Sequence, residues 1–226
     1  CAKLAMVELA GGFGYKQANA SFTGPGLNPW DKTCWSGGSS SGPGSAVGAG
    51  LVPFAIGSET MGSIVTPSGY CGIAGLRPTY GRVSRWGLLA YASSFDQIGP
   101  LTRSVEDAAL IMEVISGADE HDATVSTKPV DHYIPASTPK TYKIAYLKEC
   151  FGDGVDAEIK SRLNERFEQW KQEGHTVEEV SFPLLDSLVP AYYVLTTAEA
   201  SSNLSRYQGL QFGHRTSEKG DLDFLF

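Results

Sequence analysis

The chain has 226 residues, of which 42% are hydrophobic and 19% are charged, so its length and composition support one sizeable globular core. Eighteen Lys and Arg residues against 25 Asp and Glu residues give a net charge of −7. This balance excludes a generalised basic surface, so we expect no direct binding to nucleic acid. No apolar run is long enough to span a bilayer, and the four cysteines and four histidines do not cluster, so we expect neither a membrane partner nor a metal site.

The first part of the chain predicts short elements separated by glycine-rich turns. A weak alternation over residues 2–9 indicates a buried strand. Pro43 suits the first turn of a helix that ends at Gly50, and the apolar run at residues 52–56 is typical of a buried strand. Residues 71–76 are apolar with two glycines, and we predict a short buried helix there.

The second part of the chain has clearer signals. Ser104 is a predicted N-cap of a helix that ends at Gly117. A strand is predicted at residues 143–147, a helix from Asp156, and a second strand at residues 176–182. This order of strand, helix and strand favours a parallel crossover unit.

Two loops rich in glycine and serine, residues 36–45 and 57–68, flank the apolar run at residues 52–56. Glycine allows backbone N–H groups to point into a site, and the serines place hydroxyl groups beside them. One such loop is equally typical of a flexible linker. Because a linker does not alternate with core segments, the pair of loops indicates a functional site.

Residues 37–42 and 57–64 resemble the signature of the amidase signature family, which contains free amidases and the A subunit of glutamyl-tRNA(Gln) amidotransferase. The similarity continues through residues 71–85 and 93–102 and resumes at residues 198–204. It implies an α/β fold with a mixed β-sheet flanked by helices on both faces. We expect residues 1–226 to form part of such a domain, with an upstream lysine-bearing part and a C-terminal part outside the chain.

The resemblance also implies how the serines act. In this family a lysine and a serine in an unusual cis peptide relay protons to a nucleophilic serine, which here corresponds to Ser63. The register against Gly38 makes Ser39 the bridging serine, with Ser40 and Ser41 as the rival candidates. For Ser63 the alternative role is a helix cap. The oxyanion donors are assigned to the backbone N–H groups of Thr60, Met61, Gly62 and Ser63.

Departures from the family pattern concern the substrate. Glu59 stands where aspartate is frequent, and Met61 where the amidotransferase subunit commonly has glycine. Residues 65–66 are Val-Thr where many members have an arginine, and this loss weakens the case for an acidic substrate. A final helix is predicted at residues 191–207. By resemblance its Tyr192 lines a glutamine pocket, and its alternative role is that of a core aromatic residue.

The implied function is hydrolysis of a carboxamide C–N bond through an acyl-serine intermediate, with no metal or organic cofactor. A narrower hypothesis is the glutaminase, or A subunit, of a glutamyl-tRNA(Gln) or aspartyl-tRNA(Asn) amidotransferase, which passes ammonia to partner subunits. The substrate is then a small amide, glutamine in the narrower hypothesis. The expected location is the cytoplasm, or a mitochondrion or plastid in a eukaryote.

The lysine that acts as the catalytic base in this family is missing from the motifs of this chain. The family places its lysine before residue 1, and Lys3, Lys16 and Lys32 do not stand in its motif. The chain as given is therefore expected to lack the catalytic lysine. The rival hypothesis is a catalytically inactive scaffold subunit that keeps the amidase fold.

Overall fold

The structure is a computed structural model, and it describes residues 25–134, 140–207 and 212. The chain divides into two compact units, one containing residues 1–134 and 196–226 and the other containing residues 135–195. The strand predicted at residues 2–9 lies outside the described residues. Among the helices in the described ranges, none has the length and apolarity needed to cross a membrane.

The first unit is built on a three-stranded antiparallel sheet in the order β1-β3-β2. Its elements up to residue 134 are α1 (Ser41–Gly48), β1 (Phe54–Glu59), α2 (Val65–Cys71), β2 (Ala74–Gly75), β3 (Gln97–Thr102) and α3 (Val105–Ile115). Thr102 of the central strand pairs with Phe54 on one side and with Ala74 on the other. Helix α1 contacts this sheet, and the buried core consists of Val47, Ala55, Ile64 and Leu101.

Helix α2 begins earlier than predicted. The helix expected at residues 71–76 is wrong: α2 ends at Cys71, and Gly72 follows it with φ +66°. Glycine in this left-handed conformation stops a helix because other residues pay a steric penalty there. The apolar residues that follow, Ala74 and Gly75, pair with β3 instead and form β2.

Other predicted elements of the first unit are confirmed with shifted bounds. Helix α1 begins two residues before Pro43, and β1 lies at Phe54–Glu59 instead of residues 52–56. The predicted cap of α3 is confirmed, since the Asp107 N–H donates to Ser104 Oγ at 3.1 Å. This bond satisfies one of the N–H groups that a helix start leaves without a partner.

The second unit is the predicted parallel crossover. Its elements are β4 (Lys143–Leu147), a short 3-10 helix (Lys148–Phe151), α4 (Ala157–Gln172) and β5 (Thr176–Val180). Strands β4 and β5 pair in parallel, and the Asp156 side chain caps α4 by accepting the Glu158 N–H. Phe167 of α4 stacks on Tyr146 of β4 with ring centroids 4.5 Å apart, which joins helix and sheet.

Helix α5 (Leu185–Leu204) starts in the second unit and ends in the first. It begins six residues before the predicted start at residue 191, and Pro190 lies inside it. Because proline has no N–H to donate, it is unfavourable inside a helix, and a sequence pattern favours a helix that starts near a proline over one that continues through it. The α/β class is confirmed, with antiparallel pairing in the sheet of the first unit and parallel pairing in the sheet of the second.

Asp122 holds the segment that follows α3 against an earlier loop of the first unit. Its Oδ2 accepts the Arg85 N–H at 2.9 Å, and its Oδ1 accepts the hydroxyl and N–H of Thr124. Burial raises the pKa of Asp122, but the hydrogen bonds from Thr124 and Arg85 outweigh it and lower the pKa from 3.8 to about 2.

Replacing Asp122 by Asn should therefore reduce stability in a pH-dependent way. The folded-state pKa lies below the ordinary value, so the stabilisation is fully present above about pH 4 and disappears as the pH falls to about 2. Asp122→Asn should lower the free energy of unfolding by up to about 2 kcal/mol at pH 6, with a smaller difference at pH 3. Urea unfolding across this range measures it; exposed Asp153→Asn is the control. A pH-independent difference would contradict the prediction.

Candidate active site

The two glycine- and serine-rich loops lie in direct backbone contact. The Ser40 N–H donates to the carbonyl oxygen of Ser63 at 3.1 Å. The Ser40 hydroxyl donates to the carbonyl oxygen of Ser58 at 3.2 Å. The first loop is therefore hydrogen-bonded both to the end of β1 and to the segment that follows it.

Glycines make this close approach possible. A Cβ on Gly57 would lie 2.6 Å from Ser40 Oγ and 2.8 Å from Leu101 Cδ1, both well inside van der Waals contact. Gly37 has φ +76°, and a Cβ on it would lie 2.9 Å from the Pro67 Cα. Any larger residue at these two positions would push the loops apart.

The predicted serines occupy these touching loops. The peptide bond between Gly38 and Ser39 is cis, as the resemblance implies, and Ser39 is half-buried. Ser63 is 7% exposed and follows Gly62, whose φ of +84° lies in the region that favours glycine. The structure thus brings the segments of Ser39 and Ser63 together. Their catalytic roles stay predictions.

Residues 60–64, here called the strand–helix loop, connect β1 to α2 and contain the candidate nucleophile. Glu59 closes this loop from its start. One oxygen of its buried carboxylate accepts the N–H groups of Ile64 and Val65 at 2.8 and 3.0 Å. The other oxygen lies 3.4 Å from Arg77 Nε. A buried carboxylate requires such partners, so Glu59 holds the strand–helix loop folded back on the end of β1.

Asp96 holds the same loop from a second direction. Its Oδ1 accepts the Thr60 hydroxyl at 2.6 Å, and its Oδ2 accepts the N–H groups of Tyr91 and Ala92 at 2.8 and 2.9 Å. Asp96 is 4% exposed. Sequence reasoning treated Glu59 as a substrate-related change and assigned no role to Asp96 or Arg77. The sequence did place a carboxylate in each of the two segments that resemble the family, residues 57–64 and 93–102. The pattern alone could not show which groups these carboxylates bind.

The structure does not bring all of the other predicted site residues to the two loops. Met61 and Gly62 are half-buried within the strand–helix loop. Tyr192 lies on α5 in the second unit, where its ring contacts Tyr193 edge to face at 5.3 Å, so its place in a glutamine pocket stays a prediction. Lys3 and Lys16 lie outside the described residues, and Lys32 is on an exposed turn.

Within residues 25–134, 140–207 and 212, no group of three or more His, Cys, Asp or Glu side chains is arranged to hold a metal ion. The polar groups around the loops are instead hydroxyls, backbone N–H groups and two buried carboxylates that are engaged in holding the backbone.

The profile of the amidase family matches residues 3–224. The chain belongs to the amidase family. It is 49% identical over 208 residues to the A subunit of glutamyl-tRNA(Gln) amidotransferase of Chromohalobacter salexigens, covering 91% of this chain and 43% of that protein. It is 44% identical over 226 residues to the protein of the same name from Methylococcus capsulatus, covering 99% of this chain and 46% of that protein. The chain thus spans less than half the length of these amidase relatives.

Solved structures of amidase relatives agree. The crystal structure of the A subunit of glutamyl-tRNA(Gln) amidotransferase from Thermotoga maritima is 41% identical with a TM-score of 0.78, covering 88% of this chain and 44% of that chain. The native peptide amidase from Stenotrophomonas maltophilia is 30% identical with a TM-score of 0.71, covering 89% of this chain and 42% of that chain. The family and the α/β fold implied by the two loops are confirmed.

The contact between the loops predicts opposite effects for two glycine substitutions. Gly57→Ala should lower the free energy of unfolding by about 1–3 kcal/mol, because its Cβ would collide with Ser40 and Leu101. Gly69→Ala is the matched control: it lies within α2 with no atom within 4 Å of a Cβ, so it should raise stability by about 0.5–1 kcal/mol. Urea unfolding of both variants measures the difference. Equal stabilities would show that the loops are not in close contact.

Proposed function

We propose that this amidase hydrolyses a carboxamide C–N bond through an acyl-Ser63 intermediate. Ser63 Oγ bonds to the carbonyl carbon, and its proton passes through Ser39 to a lysine and then to the leaving nitrogen. The C–N bond breaks and the amine leaves. Water then hydrolyses the ester to a carboxylic acid and regenerates Ser63. The N–H groups of residues 60–63 stabilise the oxyanion in both steps.

The observation that carries this proposal is the backbone hydrogen bond from Ser40 to Ser63. It sets the segment of the proposed bridging serine, Ser39, directly beside the segment of the proposed nucleophile. A relay needs its members within hydrogen-bond reach, and backbone contact supports that more firmly than contact through flexible side chains. Gly62, in its left-handed conformation, supports the approach of a carbonyl group to the loop.

The lysine of the relay is proposed to precede residue 1 in the complete protein. Lys32, the lysine closest in sequence to Ser39 among the described residues, is exposed on a turn and does not stand in the family motif. The chain also spans less than half of its relatives, which supports a longer catalytic domain.

The narrower proposal is a glutaminase that supplies ammonia to partner subunits. It is supported by the relatives that carry the name of the glutamyl-tRNA(Gln) amidotransferase A subunit, which match nearly the whole chain. Glutamine would be the amide, with Tyr192 lining its pocket. The partners would act on misacylated tRNA with ATP and magnesium, in the cytoplasm or in an organelle that makes protein.

A free amidase is the second candidate. It is favoured by Val65 and Thr66, which stand at the start of α2 where many family members have an arginine. Purification of the complete protein at native expression level distinguishes the two. Partner subunits that co-purify and stimulate release of ammonia from glutamine support the glutaminase. Turnover of simple amides by the isolated protein supports the free amidase.

The proposed roles of the serines are tested by covalent labelling of the complete protein, including residues that precede Cys1, with a fluorophosphonate probe. Peptide mapping should find the label on Ser63. Ser63→Ala should abolish labelling, and Ser39→Ala should slow it at least about 10-fold because the proton relay is broken. Circular dichroism confirms that each variant is folded.

The rival hypotheses have distinct outcomes. A larger loss of labelling in Ser40→Ala or Ser41→Ala than in Ser39→Ala would move the bridging role to that serine. A well-folded complete protein that takes no label and turns over neither glutamine nor simple amides would refute the hydrolase and favour the inactive scaffold.

A further inference from the structure

We propose that Asp96 is a positioning residue for the amide reaction, which holds the strand–helix loop through Thr60 and is itself fixed by the C-terminal part of α5. The inference rests on the proposed function of that loop. Asp96 is not assigned to touch the substrate. Its effect would pass through Thr60, the first of the four residues whose N–H groups are the proposed oxyanion donors.

Asp96 is linked to the strand–helix loop by a short hydrogen bond. The Thr60 hydroxyl donates to Asp96 Oδ1 at 2.6 Å, across 36 positions of sequence. Because Asp96 is buried, water competes little for this hydrogen bond. The bond restrains the rotamer of Thr60 and ties the residue that follows β1 to the loop of Asp96.

Asp96 is also hydrogen-bonded to the backbone of its own loop. Its other oxygen accepts the N–H groups of Tyr91 and Ala92, so residues 91–96 close into a tight turn around the carboxylate. The carboxylate is thus satisfied on both oxygens. Moving residues 91–96 would break one of these sets of bonds, and an unpaired buried carboxylate is strongly unfavourable.

The turn formed by residues 91–96 contacts the C-terminal part of α5, which belongs to the same unit. Glu199 accepts the Ser94 N–H at 3.0 Å, and this bond lowers the pKa of Glu199. Asn203, one helical turn further on, donates to the Tyr91 carbonyl oxygen and to Ser93 Oγ, each at 3.2 Å. Two side chains on one face of α5 therefore hold the turn that holds Asp96.

The consequence for the reaction follows from the tolerance of oxyanion donors. Such donors act when they lie about 2.7–3.1 Å from the developing charge, and a displacement of about 1 Å costs up to about 100-fold in rate. Loss of the Thr60–Asp96 bond should therefore lower kcat. It should leave KM nearly unchanged, because Asp96 makes no assigned contact with the amide.

The test uses the complete protein, the fluorophosphonate probe and steady-state amide hydrolysis. Asp96→Asn should slow labelling of Ser63 and lower kcat at least about 10-fold, with KM within about 2-fold of the wild-type value. Glu199→Gln should have a smaller effect, about 3-fold. The matched control is Asp107→Asn, an exposed carboxylate on α3, which should label at the wild-type rate.

Thr60 provides a second, independent test. Thr60→Val removes the hydroxyl and should reproduce the effect of Asp96→Asn, whereas Thr60→Ser keeps the hydroxyl and should label faster than Thr60→Val. A role in packing alone would not separate these two variants in kcat at equal KM. If Asp96→Asn does not fold, the Thr60 pair decides the question.

The double variant Asp96→Asn/Glu199→Gln should be no slower than Asp96→Asn alone, because both act through the same turn. Folded Asp96→Asn and Thr60→Val variants that label at the wild-type rate, or that raise KM at unchanged kcat, would overturn this inference while leaving the amidase proposal intact. A wild-type protein that takes no label would overturn both.

Discussion

The carboxylate of Glu59, at the end of β1, is buried away from water. Backbone N–H groups of the chain that follows supply the hydrogen bonds that water would otherwise make. The N–H groups of Ile64 and Val65 turn back to one of its oxygens, and Arg77 approaches the other. A carboxylate in such a place is tolerated only when its partners are present. The Glu59 carboxylate bridges both ends of the sharp return of the chain from β1 into α2, and the segment of Ser63 lies within that return.

The two serine loops are joined through the N–H and hydroxyl groups of Ser40 and two backbone carbonyl oxygens. Ser40 bonds to the carbonyl oxygens of Ser58 and Ser63, and glycines at 37 and 57 leave no side chain between the loops. Backbone contacts of this kind have far fewer alternative conformations than contacts between long side chains. The relative placement of the loops is thus determined by the path of the main chain and by the hydroxyl of Ser40.

Local signals in the sequence predicted much of this fold. The cap at Ser104 and the parallel crossover of the second unit involve residues close in the chain, and both are confirmed. The position of α2 was wrong because the same short apolar run suits a helix or a strand, and pairing with β3 decided between them. The partners of Asp96 were out of reach, because a bond from position 60 to position 96 is set by tertiary packing. The roles of Ser39, Ser63 and Tyr192 stay predictions.

The alternation of β1 adds a constraint on how this chain can vary. Ala55, Gly57 and Glu59 are buried and the residues between them are half-buried, so all three lie on the same face of the strand. Side chains alternate between faces with a period of two. One residue inserted or deleted between Ala55 and Glu59 would turn the Glu59 carboxylate to the opposite face of the strand. The segment from Ala55 to Glu59 is therefore fixed in its length as well as in its composition.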